Sequence, residues 1–241
     1  MMKQFLLFLI SCVTPVWAWA QTVYPSVDPK AEFTTVKGEV IDDASSGQEA
    51  PLVARFTANP SDVGEWSARY EWKIYRVGEE KNPLVHRFEE DIEYTFTEFG
   101  EFCVQLYATF VLGNDTIPYP EEDEANPIMV SISESKLEFP NAFSPNETPD
   151  DFNDKLKAKE YQSIVDFKAA VFSRWGQKIY SWTNVDGGWD GKWNGHLVKD
   201  GVYFLVVSAR GADGKKYNIR KAITVLTGYN KDNQNAGNGG E

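Results

Sequence analysis

The chain is poor in the side chains that carry most metal binding and nucleophilic catalysis. Its 241 residues include two cysteines and two histidines. Cys12 falls in an apolar leader, so Cys103 is the single thiol of the body and no intramolecular disulfide can form there. His86 and His196 are not spaced with a further histidine for zinc, and neither stands near a Ser or Cys motif such as G-x-S-x-G. Positive charge is short as well, with 24 Lys+Arg against 36 Asp+Glu. Nucleic acid and anionic lipid need clustered positive charge, so the balance argues against both as partners. No period of 3.6 residues runs long enough to predict a helix. After the leader no apolar run approaches the ~20 residues of a spanning helix, so no transmembrane segment is expected in the mature chain.

What is present begins with that leader. Lys3 supplies one positive charge, and Phe5 to Ile10 open an apolar stretch that continues, with polar interruptions, to Ala20. Ala18-Trp19-Ala20 is a small-x-small site, so residues 1–20 read as a secretory signal peptide cut between Ala20 and Gln21. A competing reading takes Leu9-Ile10-Ser11-Cys12 as a lipobox with Cys12 acylated; it leaves a short apolar core and an unusually greasy linker. Removing Lys3 with the leader leaves 23 basic residues against 36 acidic ones. From Gln21 to Ser135 there are 8 basic and 23 acidic residues, a charge of −15. From Lys136 to Gly228 there are 14 basic and 11 acidic, a charge of +3. Such a change of sign suits two domains.

Residues 21–37, with Pro25 and Pro29 among scattered polar residues, read as a linker. A β pattern then opens at Pro51 to Phe56 and closes at Asn59-Pro60. Tyr70 to Tyr75 alternates and stops near Gly78, and further strands are predicted at Leu84 to Phe88, Glu93 to Phe96, Phe102 to Phe110 and Ile128 to Ile132. Short strands with turn signals between them predict an antiparallel sandwich over residues 38–135. Phe56 to Pro60, Tyr70-Glu71-Trp72, Tyr94-Thr95-Phe96 and Gly100 to Leu106 stand in an order that resembles the PKD-like immunoglobulin fold. The resemblance implies that Trp72 is the core aromatic of an inner strand and that Gly100 turns the chain into the penultimate one. The family's Gly-Asp-Gly after the Trp strand is replaced here by Tyr75 to Glu80. Such domains act as spacers or as adhesive modules. Cys103 alternates with the apolar set and is predicted on the outer face of its strand, with no partner to activate it.

Pro118 to Pro127 is an acidic loop bracketed by prolines. Glu121, Glu122, Asp123 and Glu124 are adjacent carboxylates of the kind Ca²⁺ takes, and weak calcium binding is the one cofactor the sequence suggests. No Gly or Asn pattern organises them, and a solvated loop guarding a sheet edge is the plainer reading. Asp115-Thr116-Ile117 resembles the Bacteroidota O-glycosylation tripeptide, which implies a glycan on Thr116.

The final third carries the most specific pattern. Its landmarks are Phe139 to Asn146, Phe172 to Tyr180 with Arg174-Trp175-Gly176 inside it, Gly188 to Gly195 with Trp189-Asp190-Gly191, and Asp200-Gly201-Val202-Tyr203-Phe204. Pro140 and Pro145 predict an extended start at a sheet edge. Ile164 to Phe172 alternates as a strand buried on one face, Arg174-Trp175-Gly176 turns it, and Lys178 to Trp182 returns. Gly201 to Val207 is the strongest strand, and Asp213-Gly214 turns into Ile219 to Leu226. In this order the motifs resemble the gliding-motility-associated C-terminal domain, the type B sorting domain of the type IX secretion system. The resemblance covers Leu137 to Leu226 and implies a seven-strand sandwich over residues 136–228.

It also implies a sorting and docking motif formed by Asn141, Phe143, Pro145, Asn146, Arg174, Trp175, Gly176, Trp189, Asp190, Gly191, Gly201 and Tyr203. Trp175, Trp189 and Tyr203 are expected in the core. Arg174 has two readings, stacked on an aromatic ring or offered to a partner. The family's glycine-rich loop appears here as Asn146 to Asp154, longer and without its glycines. Residues 229–241 are a polar tail expected to be disordered.

The fold expectation is therefore all-β, two consecutive antiparallel sandwiches after a cleaved signal. Two Asp/Glu residues suffice for glycosidic cleavage, yet two small sandwiches leave little room for a deep cleft, and no enzyme activity is expected. The implied partners are the type IX secretion machinery and an outer-membrane barrel of the PorP/SprF kind. The protein would pass through the periplasm to the cell surface and outer membrane. The rival reading is an adhesin or glycan-binding module whose acidic loop binds Ca²⁺.

Overall fold

The computed structural model describes residues 23–121, 126–145 and 153–227, and every regular element in them is a strand. The all-β, sandwich-type architecture is the one the spacing predicts. Cys12 and Ala20 of the leader, Gln21 after it, the acidic residues Glu122, Asp123 and Glu124, Asn146, and the tail 229–241 lie outside the described residues.

In the N-terminal lobe one sheet runs in the order Val40–Ile41, Lys30–Thr34, Leu52–Thr57, Ile92–Phe96. The other runs Ala44–Gln48, Ile128–Ile132, Gly100–Leu112, Ser67–Arg76, Val85–Arg87, with Asp115–Tyr119 also paired to Gly100–Leu112. Alternation makes the core: Leu52, Ala54 and Phe56 are buried while Val53 and Arg55 are exposed. Trp72, Ile74, Phe102, Val104 and Leu106 face them from the second sheet. The Phe56 ring lies 5.9 Å from both Phe33 and Trp72. Trp72 keeps its polar edge satisfied by donating Nε1–H to the Glu90 carbonyl at 3.0 Å.

Three expectations change here. Lys30–Thr34, read as part of a linker, is a strand that places Phe33 in the core at 0 % exposure. The sheets are not wholly antiparallel, because Ile128–Ile132 runs parallel to Ala44–Gln48 and Ala142–Phe143 parallel to Lys216–Val225. Cys103 does not lie on an open face. It is 8 % exposed, faces Tyr75 across the ladder and sits 3.6 Å from the Met129 sulfur. Burial raises its pKa and pushes that of Tyr75 up to about 12.

The C-terminal lobe is built on one five-stranded sheet, in the order Ala142–Phe143, Lys216–Val225, Gly201–Gly211, Ile164–Phe172, Lys178–Trp182. Phe167, Ala169, Val171, Leu205, Val207 and Ile223 line its inner face. Among the described residues no second full sheet covers them, in contrast to the seven-strand expectation. The cover is two short ribbons, Lys136–Glu138 with Glu160–Gln162 and Lys192–Trp193 with His196–Leu197, plus connections carrying Leu156, Trp189 and Val198. Closely spaced Gly and Asn turns break this layer into pieces too short to form a sheet.

A seam joins the lobes. Ala212, in the turn after Gly201–Gly211, belongs to the N-terminal core, and Val165 packs against it. The Phe99 N–H donates to the Ala212 carbonyl at 3.0 Å, and the Ala212 N–H donates to the Ser163 carbonyl at 2.9 Å. The Ala50 N–H donates to Ser163 Oγ at 3.2 Å. Ser163 is 1 % exposed at φ 48, a left-handed backbone that costs about 1–2 kcal/mol and must be held by its surroundings. Ser135 Oγ donates to Asp213 Oδ1 at 2.7 Å, and a Cβ on Gly211 would come within 2.0 Å of that hydroxyl.

Candidate functional site

The turn between Ile164–Phe172 and Lys178–Trp182 is tightly tied. Ser173 Oγ accepts the N–H groups of Trp175 and Gln177, each at 3.3 Å. Gly176 sits at φ 78 and donates to the Ser173 carbonyl at 3.0 Å. The turn holds Trp175 outward at 81 % exposure, with the Arg174 guanidinium 4.8 Å above its ring. Trp175 is therefore not a core aromatic, since a residue at a hairpin apex has no layer beneath it to enter. Arg174 takes the stacked arrangement, on a ring that is itself in water.

Opposite stands the Lys192–Trp193 and His196–Leu197 ribbon. Its Asn194-Gly195 turn has φ 51 and 82, the pair of positive values that a two-residue type I′ hairpin requires. Trp193 is 39 % exposed on this wall. Between the two turns lies a groove of about 670 Å³, with Ile179, Val198, Val202 and Tyr203 among its apolar lining.

The remaining motif residues hold this second wall in place. Trp189 is fully buried, with the rings of Phe143 and Tyr203 at 5.4 and 5.5 Å. Its Nε1–H donates to the Lys192 carbonyl at 2.8 Å, and its backbone exchanges hydrogen bonds with Leu156. Asp190 Oδ1 accepts the Lys192 N–H at 3.1 Å. Gly191 has φ 76, and a Cβ there would lie 2.5 Å from the Cβ of buried Pro145. The Tyr203 hydroxyl donates to the Lys199 carbonyl at 3.0 Å, and burial together with nearby Asp200 raises its pKa. Gly201 opens its strand opposite Val225, and the Asn141 carbonyl accepts the Thr224 N–H at 2.9 Å. Asp200, bonded by the hydroxyl and the N–H of Thr227, keeps a lowered pKa.

The predicted motif thus divides. Arg174, Trp175 and Gly176 form a surface, while Phe143, Pro145, Trp189, Asp190, Gly191 and Tyr203 form the frame behind it. Sequence reasoning left out Trp193, His196 and Lys199, although Asn194-Gly195 signals the hairpin that brings Trp193 and His196 together. Thr116 is exposed in Asp115–Tyr119, and Glu121 is exposed. Among the described residues no group of three or more His, Cys, Asp or Glu is placed to hold a metal ion, and no helix is long and apolar enough to cross a membrane.

Residues 137–225 match the CHU_C type IX secretion signal domain. The matched span contains the whole five-stranded sheet and both walls of the groove. It supports a C-terminal sorting domain, which implies a secreted, surface-exported protein handled by the type IX secretion machinery. No curated protein matches the chain. Among solved structures the chain is similar to dimeric latent PorU from Porphyromonas gingivalis, at 10 % identity and a TM-score of 0.25, over 84 % of this chain and 20 % of PorU. The chain spans a fifth of that protein's length, and a likeness this weak carries neither fold nor function.

Proposed function

We propose that the protein is a non-catalytic component of the cell envelope whose C-terminal lobe is both its export signal and its dock. After loss of the leader at Ala20–Gln21 the chain crosses the periplasm, is passed outward by the type IX machinery, and docks on an outer-membrane barrel of the PorP/SprF kind. The N-terminal lobe is then a PKD-like spacer or interaction module. The observation that carries this reading is the rigid Arg174-Trp175-Gly176 turn within the matched segment. It holds a tryptophan in water where folding gains nothing from it. Charge supports it too, since −15 on the outer lobe against +3 on the docking lobe would orient the molecule on its receptor.

Deleting residues 137–241 and measuring the remainder outside the cell tests the signal. Export should fail and the truncated chain should accumulate in the periplasm. Normal export of the truncated chain overturns the reading. Affinity isolation from solubilised envelopes should recover a barrel protein with the parent chain and lose it with the Arg174→Ala/Trp175→Ala variant.

A further inference from the structure

The groove itself indicates what it holds. We propose that it takes an extended protein segment bearing one apolar side chain flanked by carboxylates, an inference that rests on the docking reading and makes its partner specific. Ile179, Val198, Val202 and the Tyr203 ring give the groove an apolar lining. Several of the polar atoms near them are already used. The Tyr203 hydroxyl donates to Lys199, Ser173 Oγ accepts two backbone N–H groups, and the Asp200 and Asp190 carboxylates accept from Thr227 and Lys192. A polar group buried against these spent atoms would be left without a partner, which opposes binding. An apolar side chain meets no such penalty and gains from leaving water between two tryptophans. The volume of about 670 Å³ falls in the ~300–1,000 Å³ range of ligand sites.

The rim supplies the sign of the charge. Arg174 and Lys199 line the groove, and neither forms an ion pair with a described residue. Against them in the lining stands Asp200, which leaves a surplus of one positive charge. Arg174, stacked on Trp175, keeps its planar N–H fork available for a carboxylate. Arg and Trp beside a desolvated pocket are also the side chains that dominate protein interfaces.

Panning displayed random dodecapeptides on the full mature chain, with counter-selection on the Trp175→Ala chain, tests the proposal. Enriched peptides should carry one Phe, Leu, Ile or Trp between Asp or Glu residues. They should bind Trp175→Ala about tenfold more weakly and lose affinity as salt rises. An Arg174→Ala/Lys199→Ala variant should keep the apolar preference and lose the acidic one. Because these side chains are exposed, both variants should melt with the parent, which confirms that they are folded. Basic or uncharged winners, enrichment unchanged on Trp175→Ala, no enrichment, or tighter capture of a heparin fragment would each overturn the proposal. If deletion of residues 137–241 still abolishes export in such a case, the sorting role stands and only the occupant of the groove is wrong.

Discussion

In the N-terminal lobe Phe33, Phe56, Trp72, Phe96 and Phe102 are all fully buried in one core, whereas the C-terminal lobe buries Phe143 and Trp189 but leaves Trp175, Trp193 and Phe204 in water. The difference follows from the number of layers. Two sheets give the N-terminal lobe two inner faces, and alternation sends its large side chains to one or the other. One sheet under a cover of turns gives the C-terminal lobe a single inner face, and the direction of an aromatic on the cover is set by its turn. The N-terminal lobe also leaves aromatics in water, Tyr24, Phe99, Tyr107 and above all Phe88, which is 66 % exposed and paired with His86 at 4.6 Å. Trp175, held outward by its tight turn, is the feature on which the docking proposal rests, while the buried aromatics of the N-terminal lobe are explained by its own stability.

The largest effect should come from the tryptophans that the lobes share as anchors. Trp72→Ala and Trp189→Ala each empty a fully enclosed site, so each should lower unfolding free energy by about 3–5 kcal/mol. Urea unfolding followed by near-ultraviolet circular dichroism measures it. A much smaller loss for Trp189→Ala would mean that the irregular cover collapses onto the cavity, and the frame behind the groove would be softer than its contacts suggest. Next in size is the seam. Ala212→Asp puts a carboxylate into the N-terminal core, at a cost of about 3 kcal/mol for an unpaired buried charge. Separate melting of the two lobes, with a larger radius of gyration in solution scattering, is the expected sign that they have come apart.

How much of this could be read from the residues depends on pattern. Ser67–Arg76, Gly100–Leu112, Ile164–Phe172 and Gly201–Gly211 alternate, and their existence is legible. Ala44–Gln48 is Ala-Ser-Ser-Gly-Gln and has no alternation; pairing with Ile128–Ile132 makes it a strand, a case of context overriding propensity. Lys30–Thr34 offers only Phe33 as an apolar signal. The Trp- and Gly-rich landmarks stand out in the sequence, but which of them are buried and which face the solvent does not. Trp175 and Trp189 sit in similar Gly-rich surroundings, and only the three-dimensional turn decides which one has a layer to enter. The seam was invisible because it is made by small residues, Ser163, Gly211 and Ala212, whose partners across it, Ala50, Ser135 and Phe99, lie more than 75 residues away in sequence.

A weaker probe of the same seam is pH. Burial opposes ionisation of Asp213, but bonds from Ser135 Oγ and from the Lys215 and Ser135 N–H groups outweigh it and lower its pKa from the ordinary value of 3.8. A carboxylate depressed in the folded state stabilises above its unfolded pKa, and that stability is lost as pH falls through the lower folded value. The seam should therefore hold at neutral pH and loosen below about pH 4. Asp213 is largely exposed, so the effect should stay under about 1 kcal/mol. Thermal melts of the parent from pH 6 to about pH 3, set against Asp213→Asn, isolate it. A parent as stable at the low end as at the high end, relative to Asp213→Asn, would remove Asp213 from the seam's energetics.

The smallest change in stability should accompany the largest change in behaviour. Trp175→Ala and Phe88→Ala both trim an exposed aromatic, one from each lobe, and each should melt within about 0.5 kcal/mol of the parent. Their consequences in the cell should separate them. Trp175→Ala should reduce surface delivery and recovery of the barrel, and Phe88→Ala should leave both unchanged. Equal damage from the two would mean that exposure alone, in either lobe, is what the export route senses. Equal indifference would leave Trp175 without a reason to face the solvent, and the contrast between the lobes would then reflect only the missing second sheet.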